Sequence, residues 1–383
     1  MASIVRKYIL LREMITPAPN VKCGARELPV LSMTMHDGLM LQSDRFKKKI
    51  ASVDLSGYKI VARNQLVVSF PIDEGVLSIQ DVVDEGIVSP AYAIWDVNQS
   101  IVIPKFLELF LRCPMSISFY KSKLRGSTAR RRTLPKETFL SRKMRAYSLP
   151  EQKRIAAILD KICEMKRNAE ARLQKLDLLV KARFVEMFGD AIGSFFPRVA
   201  LGDLCVVKSG GTPDRSMPEY WNNGTIPWVK TTELQNQKIN RTSECITEKG
   251  LQESSAKLVP AGTILLAMYG QGKTRGMTAM LDIAAATNQA CACIIPSEKV
   301  DNDYLWRYLI LSYDKIRSQA QGAGQPNLNG QMVRSFLVPL PPLALQRQFA
   351  AFVEKVEGLK ATAKKELEQV DLLYRAKLQE FFG

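Results

Sequence analysis

Histidine is almost absent from this chain, since His36 is the only one in 383 residues. Metal sites built on histidine and most general-base mechanisms therefore have at most one candidate side chain. The seven cysteines show no CxxC spacing, which predicts reduced thiols and no zinc site. Cys291 and Cys293 lie in an apolar run where strand alternation points both to one face, so we expect small core residues there and no metal.

Long apolar runs are also missing, because no stretch approaches the roughly 18 residues needed to span a bilayer. The opening residues, MASIVRKYILLREMITP, are too short and too charged for a signal peptide, so we expect a cytoplasmic protein. Acidic residues are outnumbered: 38 Asp and Glu face 54 Lys and Arg, a formal net charge of +16. This charge favours a polyanion as partner, with nucleic acid first and an anionic membrane surface second.

Catalytic motifs are missing as well. The sequence contains no Asn/Asp-Pro-Pro-aromatic motif of base methylation, no glycine fingerprint after a strand and no convincing nuclease cluster of carboxylates and lysine. We therefore predict a protein without an active site of its own.

One segment resembles a phosphate-binding loop. Residues 267–274 read AMYGQGKT, a relaxed form of the pattern in which alanine replaces the first glycine, and they follow the strand-like GTILLA. ATP binding at Lys273 is therefore an alternative. However, the continuation RGMTAML does not open as a clean helix, and no convincing acidic strand end follows to hold magnesium. We favour a glycine-rich hairpin that presents Lys273 and Arg275 to DNA.

The chain contains an internal repeat. Residues 152–189 align without a gap with residues 346–383, and fourteen of the 38 positions are identical. Three shorter segments of the first half also match segments of the second: 28–30 with 226–228, 65–68 with 263–266, and 106–107 with 304–305. The sequence therefore predicts a tandem duplication in the order globule, helix, globule, helix.

Both repeated segments are predicted to be long helices, which would span roughly 57 Å at 1.5 Å per residue. Ser148 and Glu151 form a capping box, with Pro150 in the first turn, and the run PLPPL precedes the second copy. Apolar residues recur at heptad spacing in both copies: Ile155, Ile158, Ile162, Met165, Ala169, Leu176 and Leu179, and Phe349, Phe352, Val356, Leu359, Ala363, Val370 and Leu373.

These stripes predict that the two helices pair as an antiparallel coiled coil, the arrangement that a pseudo-twofold duplication gives. The spacer and partner-binding role is assigned to Ile155, Ile162, Leu176, Phe349, Val356 and Val370. The alternative is that each helix packs only on its own globule.

Each globule combines strand-like and helical segments, which predicts a mixed α/β fold. The strand-like runs are 58–70, 262–269 and 290–296, and the helical stretches are 105–114 and 302–313.

Basic and polar side chains concentrate in the loops. The first globule has four basic clusters: Arg45 with Lys47, Lys48 and Lys49; Lys121, Lys123 and Arg125; Arg130, Arg131 and Arg132; Arg142, Lys143 and Arg145. Charge runs are usually solvated faces, but four clusters so close together favour phosphate contacts. The predicted DNA-binding residues are Lys47, Lys48, Lys49, Tyr92, Arg130, Arg131, Arg132, Lys230, Thr231, Thr232, Tyr269, Gln271, Lys273, Arg275 and Asn288, with Gln289 beside the last.

The chain resembles the specificity subunits of type I restriction-modification enzymes. Four segments of the second half carry the resemblance: LGDLCVVKSGGTP at 201–213, IPWVKTTEL at 226–234, ATNQAC at 286–291 and VPLPPLALQRQF at 338–349. The first half departs from the pattern, because it lacks a GGTP segment and the Trp of IPW. Its GIVSPAY at 86–92 is nevertheless similar to the family.

The resemblance implies a fold and a set of partners. It implies two mixed α/β target-recognition domains, at 1–147 and 191–340, separated by two long antiparallel coiled-coil helices at 148–190 and 341–383. It also implies that each domain reads one half of a bipartite DNA target. Methyltransferase subunits, two by expectation, and motor-nuclease subunits would be partners, and they would hold S-adenosylmethionine, ATP and magnesium. The rival class is a scaffold whose basic surface binds an acidic protein.

Overall fold

The protein is described here from a computed structural model that covers residues 7–35, 37–45, 54–124, 134–189, 195–270, 272–320 and 327–383. The chain divides into two compact units. The first comprises Met1–Glu170 with Lys365–Gly383, and the second comprises Ala171–Lys364. Within the described part of the chain, no helix is both long and apolar enough to cross a membrane.

The first unit contains short strands arranged around a four-stranded antiparallel sheet. The strands are β1 (Tyr8–Leu10), β2 (Ile15–Pro17), β3 (Leu31–Thr34), β4 (Gly38–Leu41), β5 (Lys59–Ala62), β6 (Leu66–Val68), β7 (Leu77–Ile79), β8 (Glu85–Val88), β9 (Ala93–Val97) and β10 (Lys143–Arg145). The sheet order is β2-β9-β6-β7, and three pairs, β1-β10, β3-β4 and β5-β8, stand beside it. The predicted strand-like run 58–70 therefore forms two strands, β5 and β6, in different sheets.

The first unit also contains short helices. They are α1 (Leu11–Met14), α2 (Gln42–Arg45), α3 (Pro104–Arg112), α4 (Pro114–Lys123) and α5 (Lys136–Leu140). Helix α3 begins at a proline, whose fixed φ suits the first helical turn. It buries Phe106, Leu107, Phe110 and Leu111, as its apolar spacing predicts.

The second unit contains a five-stranded and a three-stranded sheet. Its strands are β11 (Arg198–Ala200), β12 (Val207–Ser209), β13 (Ile226–Val229), β14 (Gln237–Ile239), β15 (Glu244–Ile246), β16 (Ile264–Ala267), β17 (Thr278–Leu281), β18 (Ala286–Thr287), β19 (Cys291–Ile294) and β20 (Leu337–Pro339). The sheet orders are β12-β19-β16-β17-β14 and β15-β13-β18, with β11-β20 as a separate pair. Strand pairing is antiparallel except at β13-β18 and β14-β17, which are parallel.

The helices of the second unit are α7 (Leu201–Leu204), α8 (Glu248–Gln252), α9 (Asn302–Leu311), α10 (Tyr313–Ser318) and α11 (Gly330–Arg334). The side chain of Asp301 accepts a hydrogen bond from the backbone N–H of Tyr304 and caps α9. Cys291 and Cys293 are buried in the core on the same face of β19, as predicted. Burial raises the pKa of both thiols.

The tandem duplication predicted from sequence is confirmed by the topology. The order β2-β9-β6-β7 in the first unit repeats as β12-β19-β16-β17 in the second, and β1-β10 repeats as β11-β20. The three short sequence matches between the two halves of the chain fall at equivalent positions in the two units. Val30 pairs in parallel with Ile87 as Trp228 pairs with Ala286, and the other two matches fall on β6 and β16 and on α3 and α9.

Two long helices follow the small domains, α6 (Leu149–Phe188) and α12 (Leu343–Phe382). At the start of α6, the backbone N–H of Ser148 donates to Glu151 Oε2 at 2.7 Å, which is one half of the predicted capping box. In the first unit Lys166 pairs with Asp371 at 2.8 Å, and in the second Lys360 pairs with Asp177 at 2.7 Å. Within each unit the two helix segments run antiparallel, as predicted.

The heptad pattern assigned two positions of each repeat to the buried seam between the helices, and one of these two assignments is wrong. Met165, Leu179, Leu359 and Leu373, assigned to the seam, are 42–58% exposed. The residue one position later is less exposed in each case: Val180 is buried, and Lys166, Lys360 and Tyr374 are half-buried. Two of these positions hold lysines, whose polarity masked them, and the apolar residue next to each was chosen instead.

The other heptad position was assigned correctly. Ile155, Ile162, Leu176, Phe349, Val356 and Val370 are all at most 9% exposed. The alternative that each helix packs only on its own globule fails, because the helices contact both. In the first unit, for example, Leu159 belongs to one core with Phe106 and Leu378. The domain limits given above stay a prediction.

Candidate nucleic-acid interface

Three of the sequence segments that resemble the specificity family meet in the second unit. Trp228 of β13 donates its indole N–H to the carbonyl oxygen of Gly211 at 3.0 Å. The backbone N–H of Gly211 in turn donates to the carbonyl oxygen of Thr287 at 2.8 Å. A Cβ at Gly210 would overlap Thr287 and Asn288, so only glycine allows this approach. These segments therefore form the structural base of the unit and fix the loops that follow them.

The predicted polar residues follow this base at one end of the sheets. Strands β13 and β18 are parallel, so the residues after them, Lys230 and Asn288, leave the sheet at the same end. The backbone N–H of Asn288 donates to the carbonyl oxygen of Val229 at 3.0 Å. Gln289 is exposed beside Asn288 and is hydrogen-bonded to Thr212. The same end of the sheets holds the start of β19 and the end of β16, where Cys291 pairs with Ala267.

Lys230 is held in an ion-pair network. Its ammonium group lies 2.6 Å from Glu244 Oε1, and Arg215 lies 2.6 Å from the other oxygen of that carboxylate. The hydrogen bond from Lys230 and the one from Arg215 lower the pKa of Glu244. The Arg215 guanidinium also lies over the rings of Trp221 and Trp228, at 3.6 Å and 4.7 Å from their centroids. The network positions the Lys230 amine.

The neighbouring turn carries Thr231 and Thr232, which form a 3₁₀ turn with Glu233. Thr232 is exposed and Thr231 is half-buried. Hydroxyl groups of this kind can both donate and accept hydrogen bonds at phosphates or base edges.

The segment that resembled a phosphate-binding loop is a hairpin. It joins β16 to β17, which are antiparallel neighbours, and the backbone N–H of Gly276 donates to the carbonyl oxygen of Ala267 at 2.9 Å. A phosphate-binding loop requires a helix after the loop, with backbone N–H groups aimed at the phosphates. Here a strand follows, so the ATP-binding alternative is wrong and the predicted glycine-rich hairpin is present.

Two side chains of α10, Arg317 and Tyr313, hold the hairpin in place. Arg317 donates to the carbonyl oxygens of Arg275 at 2.6 Å and Gly272 at 2.9 Å. The hydroxyl of Tyr313, the first residue of α10, donates to the carbonyl oxygen of Lys273 at 2.6 Å. These bonds use backbone groups of the hairpin and leave the Lys273 side chain exposed. Tyr269, 40% exposed, lies at the base of the same hairpin.

In the first unit the equivalent sheet end carries aromatic residues. Tyr92 precedes β9, and its ring meets the ring of Phe70 edge-on at 6.1 Å. The Lys59 ammonium donates to the carbonyl oxygen of Tyr92 at 2.7 Å. Sequence reasoning selected Tyr92 but missed Phe70, whose signal is its position in the loop that matches the Lys273 hairpin.

Several predicted residues lie outside the described part of the chain. These are His36, Lys47, Lys48, Lys49, Arg125, Arg130, Arg131, Arg132 and Gln271. Among the described basic clusters, Lys121, Lys123, Lys143 and Arg145 are exposed. Arg142 instead lies over the ring of Phe110, 4.9 Å from its centroid, and donates to Ser116 Oγ at 3.2 Å. Its packing gives it a structural role that the charge pattern did not indicate.

Two buried glutamines were also missed by sequence reasoning. Gln346, fully buried near the start of α12, accepts from the backbone N–H of Asp301 at 2.7 Å and donates to the carbonyl oxygen of Pro341 at 2.7 Å. Gln152 in α6 makes the matching bonds with Ile103 and Tyr147. Each glutamine fixes a long helix to its globule. The signal was available, because these two residues open the aligned repeat.

A family model described as the type I restriction modification DNA specificity domain matches residues 196–371. The chain is 25% identical over 219 residues to the specificity subunit of the type I restriction enzyme EcoR124I/EcoR124II of Escherichia coli, covering 55% of this chain and 53% of that one. It is 31% identical over 172 residues to the MjaIX specificity subunit of Methanocaldococcus jannaschii, covering 43% and 39%. The chain thus matches about half or less of these relatives' lengths.

Two solved structures share the fold along almost the whole chain. The S subunit of a type I restriction-modification system from M. genitalium superposes with a TM-score of 0.60 at 14% identity, covering 100% of this chain and 98% of that one. A chain from a structure of complex assembly in a type I R-M system gives 0.61 at 17% identity, covering 98% and 97%. In the part that the family model matches, residues 196–371, the chain is similar to type I restriction-modification specificity subunits.

Proposed function

We propose that this chain is the sequence-specific DNA-binding subunit of a type I restriction-modification complex. In this role it reads a bipartite target in duplex DNA, one half with each of two recognition domains. It directs methylation and cleavage by partner subunits and has no catalytic activity itself.

The observation that carries the proposal is the duplicated hairpin at one end of equivalent sheets. In the second unit this end combines Lys230, Thr231, Tyr269, Lys273 and Asn288, the side-chain types that bind phosphates and base edges. They are held on strand ends and anchored turns, which suits a surface that must meet DNA in one geometry. The net charge of +16 supports the same class of ligand.

The two half-sites are proposed to differ, because the two hairpins differ. The second carries Lys273 and Arg275, whereas the loop at 69–76 contains no lysine or arginine. The predicted domain limits, 1–147 and 191–340 for recognition and 148–190 and 341–383 for spacing, are kept as part of the proposal.

The partners follow from the proposed role. Two methyltransferase subunits would bind to this chain, and motor-nuclease subunits would join for cleavage. S-adenosylmethionine, ATP and magnesium would be used by those partners. The cytoplasm is the expected location, since the DNA target is there.

Methylome sequencing tests the proposal. A host lacking this chain but expressing the cognate methyltransferase subunit is compared with the same host after the chain is restored. We expect a split motif with a fixed spacer to become methylated only on restoration. An unchanged methylome, with the chain expressed and folded, would contradict the DNA-targeting role and favour a scaffold that binds an acidic protein.

A further inference from the structure

The first unit presents a large aromatic side chain to solvent at the position of the basic hairpin in the second unit. Phe70 follows β6 as Tyr269 follows β16, and in both sheets the strand on the other side, β9 or β19, begins at the same point. The Phe70 side chain is 65% exposed. A phenylalanine exposed to this extent lacks most of the stabilisation that burial of its ring would contribute, so a contact that covers the ring would be favourable.

The loop that carries Phe70 is anchored at its base. The backbone N–H of Ser69 donates to the carbonyl oxygen of Val76 at 2.9 Å, which closes the loop. Gly75 has a φ of +74°, and a Cβ there would lie 2.9 Å from Ile117 of α4. The loop is therefore packed on α4, as the Lys273 hairpin is held by α10. Tyr92 supports the Phe70 ring from one edge and leaves the rest exposed.

The chemistry of the loop does not suit a phosphate. Residues 69–76 read SFPIDEGV, so the charged side chains within this loop are the carboxylates of Asp73 and Glu74, which the DNA backbone repels. A phenyl ring has no hydrogen-bonding group and needs an apolar surface. In the major groove of DNA the C5-methyl group of thymine is the apolar feature, and phenylalanine is among the side chains that contact it.

We propose that Phe70 contacts the methyl group of a thymine in the target, so that the first unit reads at least one base pair by apolar contact where the second unit uses cationic and polar groups. This inference rests on the proposed function. It makes Phe70 a specificity-determining residue and Tyr92 the residue that positions it.

Deoxyuridine substitution tests the contact without changing the protein. The chain is assembled with its methyltransferase subunits, and binding is measured to target duplexes in which each thymine in turn is replaced by deoxyuridine. Loss of one methyl contact should weaken binding by about fourfold at one thymine, from the transfer free energy of about one buried methylene. In the Phe70→Ala assembly, the same substitution should have no effect.

Matched variants separate the contact from a loss of folding. Tyr269→Ala changes the equivalent position in the second unit and should keep the deoxyuridine effect of the wild type. Phe70→Leu keeps an apolar side chain and should retain part of the effect, so it serves if Phe70→Ala does not fold. In methylomes, Phe70→Ala should relax one position in one half of the split motif and leave the other half and the spacer unchanged.

Several outcomes would overturn the inference. These are a target without thymine, deoxyuridine effects that are absent in the wild type, or effects that persist equally in Phe70→Ala. Weaker binding of Phe70→Ala with no sensitivity to any thymine methyl would instead indicate insertion between base steps. Loss of the methyltransferase subunit from the assembly would indicate a protein contact. If the wild-type assembly methylates no split motif, the proposed function has failed and this inference fails with it.

Discussion

Glycine shapes the hairpin that follows β16, and arginine holds it. Gly272 and Gly276 have φ values of +58° and +85°, a backbone region that other residues rarely adopt. A Cβ at Gly276 would also lie 3.0 Å from the Arg317 side chain. Arg317 can therefore reach the hairpin carbonyls only because the backbone comes this close. The exposed Lys273 side chain is carried on a turn whose conformation is fixed by its neighbours.

Lys273→Ala is the substitution that tests the phosphate contact. Removing one such contact should weaken binding to all duplex sequences about equally and reduce the slope of log Kobs against log salt by about 0.9. DNA-binding titrations over a series of salt concentrations measure this slope. Lys299→Ala, which removes a lysine beyond the opposite end of β19, is the matched control and should leave the slope unchanged. An equal change in both variants would contradict a specific role for the hairpin.

At the scale of elements, the start of each long helix depends on a buried amide. Gln346 satisfies the backbone N–H of Asp301 and the carbonyl oxygen of Pro341, both at the join between α12 and its globule. A buried polar group left without a partner costs about 1–3 kcal/mol. The amide therefore determines where the helix is attached as well as how stable it is.

Gln346→Leu should lower the free energy of unfolding by about 2–4 kcal/mol, because two buried backbone groups lose their partners while the side-chain volume is nearly kept. Urea unfolding followed by circular dichroism measures the change. Gln331→Leu, at a position in α11 that is not buried, is the control and should change stability by less than about 0.5 kcal/mol. If both variants unfold at the wild-type urea concentration, Gln346 is not the attachment point.

The seam register of α6 can be tested with one kind of substitution at two sites. Leu159 is fully buried, whereas Leu179 is 46% exposed, although the heptad pattern assigned Leu179 to the seam. Leu159→Ala should cost about 2–5 kcal/mol of stability and Leu179→Ala less than about 0.5 kcal/mol. Thermal or urea unfolding of the two variants decides between the registers. A larger loss at Leu179 would support the register predicted from the sequence.

At the scale of the whole molecule, charge and duplication act together. We expect a net charge of +16 to give the chain affinity for DNA of any sequence, through the displacement of counterions. Sequence preference must come in addition, from short-range contacts at fixed positions. A protein built from two copies of one fold can supply two such sets of contacts, one from each copy.

The isolated chain should therefore bind duplex DNA, and log Kobs should fall linearly as the logarithm of the salt concentration rises. Between about 50 and 200 mM salt, six or more phosphate contacts would reduce the affinity by about a thousandfold or more. Fluorescence anisotropy with a duplex of random sequence measures this fall, and an acidic polypeptide of similar charge is the control ligand. Binding to DNA that does not depend on salt, or equal preference for the polypeptide, would contradict the proposal.

Much of the fold could be predicted from the sequence because local patterns carried it. The strand-like run at 290–296 contains β19, the stretch at 302–313 contains α9, and Ser148 was identified as the residue before α6. The duplication was visible because the long helices kept identical residues. The short sequence match between 65–68 and 263–266 was confirmed when the two segments fell on β6 and β16, which occupy equivalent places in the two sheet orders.

Other features depend on groups that are distant in sequence. One of the two heptad positions of the seam was predicted one residue too early. The half-buried lysines Lys166 and Lys360 look like surface residues until their ion pairs with Asp371 and Asp177 are seen. Arg142 looked like a phosphate ligand until its packing on Phe110 was known. The phosphate-loop pattern could be rejected only when a strand was found after it.

The sequence by itself determined the composition-level properties and the repeat: one histidine, a large positive charge, two long helices and two related globules. These are sums or periodicities along the chain, and no folding is needed to read them. The tertiary structure decided which side chains are free to act. Phe70 and Lys273 are exposed, whereas the side chains of Arg142 and Arg317 are held by contacts within the protein. These differences depend on which distant residues pack beside each side chain, and no local sequence pattern contains that information.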